Sequence, residues 1–211
     1  MKKDLVSILD VRADLSQLLD LASNLKNIQT ANEPYEPLKD KSLAMIFEKP
    51  STRTRVSFEV GMTQLGGHSL FLSTVDLQLG RGEAVSDTAR VLSRYVDGIM
   101  YRGFEHGKTV ELAKAATIPV INGLDDLEHP CQVVSDLFTI REKKGELEGL
   151  KLAYLGDGNN VCNSLLLGCS KVGIDISVAS PPDFEPNRDI IHRAIDYTKI
   201  TKSDIVLTED P

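Results

Sequence analysis

Apolar residues return every three or four positions at Leu15, Leu18, Leu19, Ala22 and Leu25, the spacing of one helix face. A loop punctuated by Pro34 and Pro37 follows, and the apolar run Ser42–Phe47 then reads as a strand that stops at Pro50. Ser51 and Thr52 are suited to cap a helix running to about Leu65, which Gly66-Gly67 terminates. The alternation continues with a strand near 69–72, a helix over 84–95, a strand at 98–101, a helix over 109–116 and a strand at 118–121. Pro119 limits its part of the last strand to the first residues or to a sheet edge. Strands alternating with helices at this spacing predict a parallel α/β sheet.

Pro130 suits the first turn of a helix whose apolar face holds Val133, Val134, Leu137, Phe138 and Ile140. The polar stretch 141–149 closes it and marks a domain boundary. The pattern then restarts, with a strand at 150–155, a turn at 156–158, a helix over 161–172, strands at 174–179 and 205–208, and a helix around 188–197 between them.

Composition narrows the partners. At 211 residues the chain holds one large domain or two small ones, and 41% hydrophobic with 26% charged residues is ordinary for a globular protein. The excess of 31 acidic over 24 basic side chains argues against nucleic acid or an anionic membrane as the main partner, while a local arginine cluster can still hold a small anion. Cys131, Cys162 and Cys169 cannot all pair, and none has a metal or redox spacing, which fits a reduced, cytoplasmic setting. Asp4, Asp10 and Asp14 interrupt any apolar run of a signal peptide, and no apolar stretch reaches membrane-spanning length.

The densest chemistry is Phe47-Glu48-Lys49-Pro50-Ser51-Thr52-Arg53-Thr54-Arg55. Two hydroxyls and an arginine meet at a strand-to-helix turn, where unpaired backbone N–H groups, the helix dipole and a guanidinium fork favour phosphate. The bland alternative is that Ser51 and Thr52 only cap the helix while Arg53 and Arg55 decorate it. The carboxyl end of a parallel strand, where open α/β sheets bind ligands, favours the functional reading. His129-Pro130-Cys131-Gln132 lies at a second helix start, where His129 can polarise or protonate an oxygen and Gln132 can hydrogen-bond an amide. The Gly156-Asp157-Gly158 turn lacks the third glycine of a dinucleotide fingerprint, Val161 standing in its place.

These two motifs together resemble the aspartate/ornithine carbamoyltransferase family. Phe58-Glu59 and Leu65-Gly66-Gly67 continue the first motif as the family does. Asp76-Leu77-Gln78-Leu79-Gly80-Arg81-Gly82-Glu83 and Leu155-Gly156-Asp157-Gly158-Asn159-Asn160-Val161 are similar to its ornithine branch, and the resemblance assigns the Arg of Tyr101-Arg102-Gly103 to the carbamoyl phosphate site. The resemblance implies an α/β fold of two Rossmann-like parallel-sheet domains. Residues 1–148 would be the carbamoyl phosphate-binding domain, with an N-terminal helix and an inter-domain helix at 130–144. Residues 149–211 would be the first part of the ornithine-binding domain, which is incomplete in this chain.

The implied reaction moves a carbamoyl group from carbamoyl phosphate to the side-chain amine of L-ornithine, giving L-citrulline and phosphate. Ser51, Thr52, Arg53, Thr54, Gln78, Arg102, His129, Pro130, Cys131 and Gln132 would bind carbamoyl phosphate, and Thr54, Arg102 and His129 would stabilise the developing oxyanion. Asn160 would contact ornithine. No metal or redox cofactor is implied. A homotrimer is, with Gln78 reaching a neighbouring site. Structural alternatives stand beside these roles: Gln78 and Arg81 in a solvated loop, Arg102 paired with Glu105 or Asp126, Asn160 as an N-cap, Cys131 as packing, and Cys162 and Cys169 in the core. Because Thr208-Glu209-Asp210-Pro211 matches the middle of the family's second domain, strand 150–155 is expected at a sheet edge. A different amine substrate, such as putrescine or an acetylated ornithine, and a non-catalytic binding or assembly subunit are the competing functions.

Overall fold

The structure, a computed structural model, describes residues 2–11 and 15–210; Asp14 and Pro211 lie outside them. It contains two parallel sheets and two compact units, Met1–Val6 with Asp20–Asp125, and Ser7–Leu19 with Asp126–Pro211. Among the described residues no helix is long and apolar enough to cross a membrane.

The helix α1 (Leu15–Thr30) is divided between the units after Leu19, and the first unit then holds β1 (Ser42–Phe47), α2 (Thr52–Gln64), β2 (His68–Ser73), α3 (Val85–Leu92), β3 (Gly98–Arg102), α4 (His106–Ala115) and β4 (Val120–Leu124). Its sheet has the order β2-β1-β3-β4, all parallel. Side chains alternate across β1, as the pleat requires. Ala44 and Ile46 share a core with Val85, Ala89, Ile99 and Leu112, whereas Leu43, Met45 and Phe47 join Met62, Met100 and Phe58. Helices therefore cover both faces, which is why β1 reads as a continuous apolar run.

The second unit holds α5 (Pro130–Lys144), β5 (Lys151–Leu155), α6 (Asn160–Val172), β6 (Asp175–Ala179), α7 (Arg188–Thr201) and β7 (Ile205–Thr208), with a short 3-10 turn at Ile8–Asp10. Its three strands lie in the order β5-β6-β7, so β5 is an edge, as the resemblance implied. Leu155 at its end is 66% exposed. An open groove lined by Ile140, Leu150, Leu152, Ile174, Lys143 and Lys144 runs beside that strand. Leu165, Leu166, Leu167 and Cys169 of α6 form the centre of this unit's core with Val133, Leu137, Ile176 and Ile190.

Helix α3 ends at Leu92, short of the expected 95, α7 runs on to Thr201, and two further elements differ from the sequence expectation. Helix α4 begins at His106, a turn before Thr109. Strand β4 spans Val120–Leu124 instead of 118–121. Pro119 has no donor for the ladder, so pairing with β3 starts at Val120, and Leu5 bridges Ile121 on the other side. The strand then continues through Asn122-Gly123, a pair that local pattern reads as a turn.

Candidate functional site

The chain runs from β1 outward to β2 and then crosses back to place β3 on the other flank of β1. Connections leave the carboxyl ends of β1 and β3 in opposite directions, and such a switch point opens a crevice in an open α/β sheet. Here the two strand ends are in register, Phe47 opposite Arg102. The first leads through residues 48–51 into α2; the second ends on a guanidinium.

Ser51 has the extended backbone of an N-cap, and its Oγ accepts the Thr54 N–H at 3.2 Å. The N–H groups of Thr52 and Arg53 have no intrahelical acceptor, since they belong to the first turn. No acidic residue sits in that turn to compete with an external anion. Arg102 Nη1 donates to Thr54 Oγ1 at 3.3 Å and to the Gly123 carbonyl at 3.4 Å. Its Nε is buried and has no protein acceptor. The expected alternative, an ion pair with Glu105 or Asp126, does not form among the described residues; Glu105 pairs with Lys108 at 3.2 Å.

Burial and then the nearby Arg53 guanidinium lower the Arg102 pKa from its ordinary value. Two like charges this close, one of them with a buried donor unsatisfied, are costly until an anion arrives. Arg53 itself is exposed. Arg55 is engaged elsewhere: its Nε meets Glu59 Oε2 at 3.2 Å, and its guanidinium stacks 3.9 Å from the Phe71 ring centroid.

Glu48, which the sequence reading did not assign a role, braces the two strand ends. Its N–H donates to the Arg102 carbonyl at 2.8 Å, its Oε2 accepts the Phe104 N–H at 3.3 Å, and its Oε1 lies 3.4 Å from Lys108 Nζ. Its sequence signal is an acidic residue between a buried strand and a basic turn. Gln78 is exposed and opens a 3-10 turn, Gln78–Arg81, that Gly82 ends in the left-handed region; the expected plain loop is therefore an ordered turn.

The other expected site residues belong to the second unit. His129 caps α5: its Nδ1 accepts the Gln132 N–H at 3.4 Å, so a neutral ring carries its proton on Nε2. Its own N–H donates to Ser164 Oγ at 2.9 Å, and Asn163 Nδ2 donates to the Leu127 carbonyl at 3.0 Å. The 127–129 segment is thereby fastened to α6. Asn160 is the first residue of α6, one turn before Ser164 on the same helix face. The cap is Asn159, whose Oδ1 accepts from the Val161 and Cys162 N–H groups at 3.0 and 3.3 Å, so the capping alternative for Asn160 does not hold.

Gln132 donates from Nε2 to Asp136 Oδ1 at 2.9 Å, which leaves its amide oxygen as the group for a ligand. Burial raises the Asp136 pKa, and that hydrogen bond partly offsets the rise. Pro130 is buried at the first turn of α5. Burial pushes the Cys131 thiol up to about 12, which suits packing and makes it a poor nucleophile. Cys162 and Cys169 lie in the core, as their spacing suggested.

In the first unit, then, the fold assembles a helix start, a threonine hydroxyl and two arginines, one of them with a buried, unsatisfied donor. Such an arrangement has the chemistry to take a small anion bearing a polarisable oxygen.

Comparison with known proteins gives the family. Residues 3–142 match the family described as aspartate/ornithine carbamoyltransferase, carbamoyl-P binding domain, and residues 148–211 match its Asp/Orn binding domain. An ornithine carbamoyltransferase of Anoxybacillus flavithermus is 57% identical over 210 residues, spanning 99% of this chain and 67% of the relative. One from Picrophilus torridus is 54% identical over 211 residues, spanning 100% of this chain and 69% of the relative. The solved ornithine carbamoyltransferase from Pyrococcus furiosus superposes with a TM-score of 0.96 at 50% identity, over 99% of this chain and 67% of that one. The chain thus spans about two thirds of the length of these relatives. On the family match over nearly its whole length and relatives at more than half identity, the chain belongs to the aspartate/ornithine carbamoyltransferase family and is a carbamoyltransferase.

Proposed function

We propose that the amine acceptor is L-ornithine and that the products are L-citrulline and phosphate. The observation that carries the reading is the buried, unpartnered Nε of Arg102 beside Arg53 and the start of α2. The names of the similar proteins from Anoxybacillus flavithermus, Picrophilus torridus and Pyrococcus furiosus support ornithine as the acceptor. Residues 1–148 then serve as the carbamoyl phosphate-binding domain and 149–211 as the first part of the ornithine-binding domain, a division supported by the two family matches.

In this mechanism Arg53 and the free N–H groups of α2 hold the phosphate, with Ser51 and Thr52 shaping the turn and Gln78 of a neighbouring copy closing over it. The ornithine amine, once deprotonated, attacks the carbonyl carbon. The carbonyl oxygen becomes an oxyanion, which takes donors from Thr54, Arg102 and His129 Nε2. Gln132 fixes the carbamoyl amide through its free oxygen, and Pro130 and Cys131 carry the backbone of that segment. Asn160 positions the acceptor. Collapse of the tetrahedral intermediate breaks the C–O bond, and phosphate leaves with the electron pair while the new C–N bond remains. The amine proton passes to the departing phosphate oxygen, where negative charge is growing.

We further infer a cytoplasmic homotrimer in which Gln78 reaches a neighbouring site. Edge strand β2 exposes Leu70 and Phe71, and α2 exposes Val56 and Val60, apolar surface that a second copy would cover. The test is citrulline formation by the purified chain, with putrescine and acetylornithine as competing acceptors and the native mass measured in parallel. Transfer to ornithine alone by a trimer supports the reading. Transfer to another amine, or carbamoyl phosphate binding without transfer to any, overturns it.

A further inference from the structure

Strand β4 ends in an irregular turn whose purpose the anion site explains. The β3–β4 register runs Tyr101 opposite Asn122 and then Arg102 opposite Leu124, skipping Gly123. Gly123 is thus an extra residue on β4, and a bulge of this kind re-aims the neighbouring side chain. A Cβ at Gly123 would lie 2.4 Å from Met100 Sδ, so any larger residue must displace the buried Met100 side chain. Leu124 has φ of +146°, which a leucine adopts only under constraint. Both carbonyls of the turn are turned on β3. The Gly123 oxygen accepts Arg102 Nη1 at 3.4 Å, and the Leu124 oxygen accepts the Gly103 N–H at 3.0 Å.

The constraint comes from Asn122, which is fully buried. Its Oδ1 accepts the Leu124 N–H at 3.0 Å. Its Nδ2 donates to the Val6 carbonyl at 2.9 Å and to Asp125 Oδ2 at 2.8 Å. Asp125, equally buried, also accepts from Thr109 Oγ1 at 3.0 Å and has His106 Nδ1 at 2.8 Å. A chain of hydrogen bonds therefore runs from the first turn of α4 through Asp125 and Asn122 to the Leu124 N–H, in the turn whose Gly123 carbonyl holds Arg102. A buried network with every link made keeps one geometry, which suits a group that must be placed before its ligand arrives.

We propose that Asn122, anchored by Asp125, is a positioning residue that aims the Arg102 guanidinium at the substrate anion by locking the Gly123–Leu124 turn. This rests on the reading that Arg102 belongs to the carbamoyl phosphate site. Asn122 touches no substrate; it acts through Arg102 alone.

The test is a double-mutant cycle on the whole chain, with inorganic phosphate as the probe and calorimetry as the readout. Arg102→Ala is expected to weaken phosphate binding about tenfold or more, and Asn122→Ala to weaken it several-fold, about as much as loosening one charged contact. In the Arg102→Ala background Asn122→Ala should have no further effect. A merely structural asparagine would lower the melting temperature without this coupling. Leu124→Gly is the second arm: glycine accepts the positive φ without strain, so the fold should hold or gain stability while phosphate binding weakens. Wild-type affinity in folded Asn122→Ala or Leu124→Gly, or additive losses in the cycle, overturns the proposal while leaving the anion site intact. Wild-type affinity in Arg102→Ala instead overturns the anion reading itself.

Discussion

Arg102 Nη1 donates to Thr54 Oγ1 across 3.3 Å, joining the last residue of β3 to the first turn of α2 across 48 positions of sequence. The direction of that bond matters. With an oxygen lone pair of Thr54 engaged by the guanidinium, the hydroxyl proton is left to donate outward. One contact therefore orients two donors toward the crevice, and the buried Nε of Arg102 adds a third.

Thr54→Val keeps the shape of the side chain and removes both halves of this arrangement. Losing one oxyanion donor typically costs about 3 kcal/mol of transition-state stabilisation, so kcat/KM for carbamoyl transfer is expected to fall about a hundredfold. The melting temperature should barely move, because the bond lies at the rim of the unit and not in its core. Thr54→Ser should recover most of the rate. A valine variant with wild-type kinetics would sink the donor role.

The two arginines of the motif should separate cleanly. Arg55 is held by Glu59 and the Phe71 ring, whereas Arg53 faces solvent beside Arg102. Arg53→Ala is therefore expected to abolish measurable carbamoyl phosphate binding in a calorimetric titration. Arg55→Ala should cause the smaller loss. Equal losses would mean that exposure and partnering do not distinguish their roles.

Much of this was legible in the sequence, and the exceptions share one cause. The unbroken apolar run 42–47 announced a strand, which the structure covers on both faces, and Ser51 and Pro130 announced the helix starts at the basic turn and at His129. What local pattern could not reveal depends on partners far along the chain. Asn122 looks like a turn residue and is a buried strand residue, because Val6, 116 positions earlier, satisfies its amide. Glu48 looks like surface charge, yet its partners are Phe104 and Lys108, 56 and 60 positions away. Asn159 and Asn160 are equally good caps by type, and only the backbone of the turn selects the first.

Glycine 158 gives a stability test in the second unit that leaves chemistry aside. A Cβ there would sit 2.2 Å from the Pro186 nitrogen and 2.4 Å from the Glu185 carbonyl carbon, both backbone atoms, and the Gly158 N–H donates to the Phe184 carbonyl at 2.8 Å. Neither side can give way without moving a loop. Gly158→Ala is expected to cost about 1–3 kcal/mol in urea unfolding, as overpacking does. Gly61 in α2 is the contrasting case, with nothing within 4 Å of its Cβ position, and Gly61→Ala should stabilise by up to about 1 kcal/mol.

Alkaline pH tests the burial of α6. Cys162 and Cys169 are fully buried, and burial, with smaller contributions from Asp157 and Asp136 respectively, pushes each thiol from 9.0 up to about 12. Folding thus holds these protons more tightly than the unfolded chain does. The contribution is fully present below pH 9, where both states are protonated. It is lost between about pH 9 and 12, as the unfolded state releases protons that the folded state keeps. Each thiol should lower stability by up to about 1.4 kcal/mol per pH unit across that window. Urea unfolding from pH 8 to 11 should show the decline, and the Cys162→Ala/Cys169→Ala variant should start less stable at pH 8 but decline less steeply. Burial raises the Tyr101 pKa as well, and that slope is common to both proteins, so it cancels in the difference. Parallel pH profiles for the two proteins would show that these thiols ionise as readily folded as unfolded, and that α6 is not the sealed centre of its unit.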